Sequence, residues 1–197
     1  LIIKETMEKN GVDTRYLSCY EGKKTAISLA FLDQNSNANY SFYKDYPNIR
    51  LEFELPQMDS EDIVLFGSYY ALNPALRKQV GGFLKHAQES GALLYYDLNF
   101  RANHKDEVES LYNTFYENFC LADIVRGSDE DFNILYGETD IRKIYDSHIK
   151  GRCNILIMTH GADGVEIIDK DNYYKIPSTK IDNVVSTIGA GDNFNAG

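Results

Sequence analysis

Four short segments constrain this chain more than anything else in it. Residues 62–68 (D-I-V-L-F-G-S), 92–96 (A-L-L-Y-Y) and 154–159 (N-I-L-I-M-T) read as strands with apolar residues in succession, beside a further strand at 122–125 (A-D-I-V). Strands of that kind are buried on both faces, which is the habit of a parallel sheet covered by helices. Helical patterns separate them. Asn73-Pro74 reads as a helix start, with Asn as N-cap and Pro in the first turn. Leu76, Val80, Phe83, Leu84 and Ala87 then recur at helical spacing, and Gly91 closes the segment. Residues 108–120 read as another helix. The alternation predicts an α/β fold around a largely parallel sheet.

The flanks read differently. Residues 1–10 look like the tail of a helix stopped by Gly11. Residues 25–32 (T-A-I-S-L-A-F-L) and 39–44 (N-Y-S-F-Y-K) read as strands joined by a polar turn. Their partial alternation predicts a small sheet with one covered face. Residues 173–176 complete an edge hairpin.

The chain has 197 residues, enough for one substantial core, or a core with a small appendage. A net charge of −10 argues against a nucleic-acid footprint, though backbone amides can still bind a nucleotide's phosphates on an acidic protein. No apolar run approaches the ~18 residues of a transmembrane helix, and no signal peptide is visible, so a cytoplasmic protein without membrane contact is expected. Cys19, Cys120 and Cys153 are odd in number and widely spaced, which predicts reduced thiols. The four histidines are scattered and predict no histidine metal site. The chain opens at Leu1 without Met and stops at Gly197 inside a helical pattern. It is therefore expected to be a fragment of a longer protein.

Chemistry concentrates at strand ends. Residues 186–197 (S-T-I-G-A-G-D-N-F-N-A-G) follow a strand end with a turn of small residues, Gly189, Ala190 and Gly191, and then a helix start at Asp192. Unpaired N–H groups and the helix dipole make such a turn an anion site. Asp192 is costly inside a phosphate nest unless it accepts a proton from an attacking hydroxyl. The plainer reading is a tight turn with a stabilising acidic first-turn residue. No G-x-x-x-x-G-K-[ST] is present, so the site is not a P-loop. Asp97-Leu98-Asn99-Phe100-Arg101 lies just past a strand end, where open α/β sheets bind ligands. Arg101 suits a phosphate or a sugar acid, or else a loop-capping pair with Asp97.

The 186–197 stretch resembles the C-terminal motif of the ribokinase/pfkB family of carbohydrate kinases, D-T-x-G-A-G-D-x-F-x-x-G. Thr187, Gly189, Ala190, Gly191, Asp192, Phe194 and Gly197 match, and Ser186 stands where the family has Asp. Gly11-Val12-Asp13-Thr14 resembles the family's G-V-D-T, and Asp97-x-Asn99-x-Arg101 its D-P-N-x-R with Leu98 for Pro. Thr159-x-Gly161-x-x-Gly164 resembles its T-x-G-x-x-G. Ser128 and Asp131 stand in its N-x-x-E position; they also form a capping-box pattern, and the two roles are compatible.

The resemblance implies a ribokinase-like three-layer α/β/α sandwich with a mostly parallel sheet. One incomplete kinase domain is expected over residues 1–197, with residues 15–46 supplying a β-lid. It implies an enzyme that transfers the γ-phosphate of ATP to a small carbohydrate, fructose or a 2-keto-3-deoxy sugar acid being favoured. Asp192 would be the base, with Gly189, Ala190 and Gly191 around the transferring phosphoryl group. Thr159, Gly161, Gly164 and Thr187 would face the nucleotide, and Tyr43, Lys44, Asn99 and Arg101 the sugar. Asp131 would serve a hydrated Mg²⁺. A homodimer through the lid is also implied. Ser128 and Asp131 motivate a second reading, a catalytically weak sugar- or nucleotide-sensing protein on the same fold.

Overall fold

The computed structural model describes residues 2–32, 38–43, 45, 51, 54–181 and 184–197. The chain divides into two compact units: Leu1–Phe53 with Lys180–Gly197, and Glu54–Thr179.

The larger unit is a six-stranded sheet in sequential order. Strands β3 (Ile63–Gly67), β4 (Leu93–Asp97), β5 (Ile124–Ser128) and β6 (Ile155–Thr159) are parallel. Strands β7 (Val165–Asp169) and β8 (Asn172–Ile176) add an antiparallel meander at one edge. All four predicted segments form parallel strands. Helices α2 (Ser68–Leu72), α3 (Arg77–Glu89), α4 (Val108–Leu121), α5 (Asp129–Tyr136) and α6 (Ile141–Ile144) connect them. Sequential order with right-handed crossovers puts these connections on one face of the sheet. The core lies there: Tyr96, Val125, Leu156 and Met158 point from the strands toward Phe115, Phe119, Phe132 and Ile144. All eight are at most 3% exposed, the close packing expected of a domain interior.

Two predicted boundaries move by three residues. Helix α3 starts at Arg77, not at Asn73-Pro74. A residue before proline is biased toward extended backbone, and Asn73 has φ −59° and ψ 116° as the C-cap of α2. Its side chain accepts the Ala75 N–H at 3.0 Å, so the cap chemistry serves a turn rather than the helix. Strand β5 runs on to Ser128, three residues past the predicted end, and takes Arg126 into the sheet.

In the smaller unit, α1 (Ile2–Lys9) ends at Gly11, which has φ +79°. Thr14 of the G-V-D-T segment donates to Glu8 of that helix at 2.6 Å. Strands β1 (Ile27–Leu32) and β2 (Ala38–Tyr43) pair antiparallel. Their register sets Tyr43 opposite Ile27, on the face that carries Leu29 and Phe31. These four side chains are 43–61% exposed. Helix α7 (Ala190–Ala196) completes the unit. Among the described residues no disulfide forms, and no helix is long and apolar enough to cross a membrane.

Candidate active site

Parallel strands end at one edge, and the larger unit gathers its chemistry there. Asp97 closes β4, Arg126 sits near the end of β5, and Thr159 closes β6. Asp97 and Arg126 are register partners, and Thr159 lies two residues beyond Ile157, the partner of Arg126 on β6. Side chains alternate along a strand, so all three share a face. Arg126 Nη1 donates to Asp97 Oδ1 at 2.8 Å, and Nη2 donates to Thr159 Oγ1 at 2.8 Å. The guanidinium and carboxylate are 8% and 10% exposed, so the pair is a desolvated one. Such charges are tolerated only with partners in good geometry. The Leu98 N–H also donates to Arg126 O at 2.8 Å, binding the start of the D-x-N-x-R loop to β5.

Asn99 follows in the left-handed region, with φ +37°, and Arg101 is exposed. The loop is fixed from beneath by Asp131. Its Oδ1 accepts the Phe100 N–H at 2.7 Å. Its Oδ2 accepts the Ser128 N–H at 2.7 Å and the Ser128 hydroxyl at 2.8 Å. Ser128 Oγ in turn accepts the Asp131 N–H, which completes the capping box of α5. Asp131 is 6% exposed, and burial pushes its carboxyl above the usual range against the pull of these donors. Among the described residues no group of three or more His, Cys, Asp or Glu gathers to hold a metal. Both Asp131 oxygens accept from protein donors, Oδ1 from one and Oδ2 from two.

After β6 the chain turns through His160 and a short 3₁₀ segment, Gly161–Asp163, into β7. The two glycines of this turn differ. Gly161 has φ +53° with open space where a Cβ would sit. Gly164 has φ +97°, and a Cβ there would lie 2.1 Å from Ile176 O, so β8 packs against it directly. His160 lies between carboxylates, its Nε2 2.8 Å from Glu166 and its Nδ1 3.5 Å from Asp129.

In the smaller unit, Gly189 takes the left-handed conformation, φ +77° and ψ 4°, as N-cap of α7. A residue with a side chain adopts that conformation only with strain. The Ala190 N–H is engaged by Thr187 O at 3.1 Å, while Asn193 donates from both its backbone and its side chain to Gly189 O. Gly191 and Asp192 therefore supply the first-turn amides of this helix. Asp192 is exposed. Of the predicted sugar-facing residues, Tyr43 stands on an exposed face of the β1–β2 pair, and Lys44 lies outside the described residues.

Sequence reasoning missed Arg126. It also missed a cluster above β3 and β4. Tyr69 stacks on His104 with ring centroids 3.8 Å apart, and its hydroxyl donates to Glu107 at 2.7 Å. His104 Nδ1 lies 2.6 Å from the other Glu107 oxygen. Burial and the Glu107 bond push the Tyr69 hydroxyl up to about 12. No local spacing announces either group, because each joins residues of segments far apart in the sequence.

Comparison with known proteins bears on this geometry. Residues 2–197 match the model of the pfkB family carbohydrate kinases. A probable fructokinase-6, chloroplastic, of Arabidopsis thaliana is 26% identical over 214 residues, covering 100% of this chain and 52% of its own. The 5-dehydro-2-deoxygluconokinase of Geobacillus thermodenitrificans is 25% identical over 215 residues, covering 99% of this chain and 60% of its own. Among solved structures, the sugar kinase PH1459 of Pyrococcus horikoshii in complex with ATP superposes with a TM-score of 0.74 at 28% identity. That match covers 98% of this chain and 61% of that one. The chain thus spans roughly half to three fifths of the length of the relatives it matches. The fold is the ribokinase-like α/β fold, and the chain belongs to the pfkB family of carbohydrate kinases.

Proposed function

We propose that the protein phosphorylates a small sugar with ATP, and that Asp192 is the general base. The observation that carries this reading is the Gly189–Asp192 turn. A left-handed glycine opens a helix whose first-turn amides stand beside an exposed carboxylate. Asp192 takes the proton from the attacking hydroxyl as the oxygen–phosphorus bond forms. The bond from the γ-phosphorus to its bridging oxygen breaks, and ADP leaves. The amides of Gly191 and Asp192 stabilise charge building on the equatorial oxygens. Thr159 and the open backbone at Gly161 face the nucleotide phosphates. Asn99, Arg101 and Tyr43 face the sugar. Mg²⁺ is expected to travel on the nucleotide, since it binds largely through phosphates and water.

Fructose and 2-keto-3-deoxy sugar acids are the favoured substrates; the probable fructokinase among the relatives supports fructose, and the 5-dehydro-2-deoxygluconokinase supports a deoxy sugar acid only as a broader class. ADP release by the whole protein with Mg-ATP and a panel of sugars tests the reading. Release that depends on one of these sugars supports it; no sugar-dependent release with any of them contradicts it. A second reading, a sensing protein that binds nucleotide with little turnover, draws on the engaged state of Asp131. ADP binding without release on any sugar favours that reading.

A further inference from the structure

Arg126 lies where two ligand-facing motifs meet, and no motif contains it. Its Nη2 donates to Thr159 Oγ1. A hydroxyl has one proton to give and lone pairs to receive with. Accepting from a cation leaves the Thr159 proton directed away from Arg126, and polarises that O–H into a stronger donor toward an anion. Its Nη1 fixes Asp97, and its carbonyl oxygen fixes the Leu98 N–H, so the D-x-N-x-R loop is held by the same residue. The planar fork is what allows one side chain to serve two neighbours at 2.8 Å; a lysine is a single point of charge.

We propose that Arg126 is a positioning residue that sets the Thr159 hydroxyl as a phosphate donor and ties it to the sugar-side loop. The proposal rests on the kinase reading, in that Thr159 faces the nucleotide. Arg126 acts through Thr159 and Asp97 and touches neither substrate.

The test is ADP affinity by titration calorimetry for the wild type, Arg126→Met, Thr159→Val and the double variant, with urea unfolding of each beside it. The expected result is a loss of roughly tenfold in ADP affinity for each single variant. The double variant loses no more than the larger single loss, because both remove one coupled donor. A purely structural Arg126 lowers unfolding midpoints but leaves the affinity of the folded protein unchanged, and that outcome overturns the proposal. So do additive losses. Where Arg126→Met fails to fold, Arg126→Lys replaces it. It is expected to weaken ADP binding where Thr159 is intact and to change nothing when combined with Thr159→Val. Equal weakening in both backgrounds overturns the proposal. If wild-type protein binds no ADP, the kinase reading fails together with this proposal. If it binds ADP and Thr159→Val binds equally well, this proposal alone fails.

Discussion

The Phe100 N–H donates to Asp131 Oδ1 at 2.7 Å, joining the loop after β4 to the first turn of α5 across 31 residues of sequence. One carboxylate thereby caps a helix and fixes the backbone between Asn99 and Arg101. Replacing Asp131 with Ala removes the carboxylate half of the capping box, which accepts from Ser128, and leaves the buried Phe100 N–H without its acceptor. Each loss costs about 1–2 kcal/mol, so a destabilisation of about 2–4 kcal/mol is expected in urea unfolding. A change under about 0.5 kcal/mol, the range of an ordinary surface substitution, would contradict the structural role.

Gly161 and Gly164 separate by mechanism. Both have positive φ, but only Gly164 has backbone where a Cβ would go. Gly161→Ala should cost about 1–2 kcal/mol from conformation alone. Gly164→Ala must also push β8 away, and is expected to cost more than about 3 kcal/mol. Equal melting temperatures for the two variants would show that β8 does not press on Gly164.

Cys153 is 3% exposed, and burial pushes its thiol up to about 11. Its Sγ lies 3.1 Å from Asp123 O and 3.3 Å from Ile155 O. Cys19 and Cys120 are exposed. At pH 8 a thiol reagent should modify those two in the native protein and reach Cys153 only after unfolding. Because the folded-state value is raised, the neutral thiol's contribution to stability is complete below the ordinary thiol range. It is lost as pH climbs toward about 11. Counting modified cysteines by intact mass in native buffer and in urea checks this, and rapid native modification of Cys153 contradicts it.

What the sequence revealed follows from range. The parallel strands were legible because burial on both faces leaves local apolar runs, as in residues 93–97 and 155–159. The capping box at Ser128 and Asp131 was legible because its members are three residues apart. Strand β5 was cut short because Arg126 looks like a loop residue until Asp97, 29 positions earlier, neutralises it. The Asn73-Pro74 signal was real chemistry used for a turn, since the proline forces the preceding residue out of helical backbone. The dual service of Asp131 to Ser128 and Phe100 depends on the packing of α5 beneath the β4 loop. No pattern within either segment encodes it.

Asp192 carries the proposed chemistry. Asparagine at that position keeps the shape of the turn and removes the proton acceptor. The most direct measurement is steady-state ADP release on the best sugar by Asp192→Asn, beside its ADP affinity. A fall in kcat of roughly 10²–10⁴-fold, with ADP affinity within a few-fold of wild type, is the predicted result. Turnover within a few-fold of wild type would remove Asp192 from the base role and contradict the mechanism.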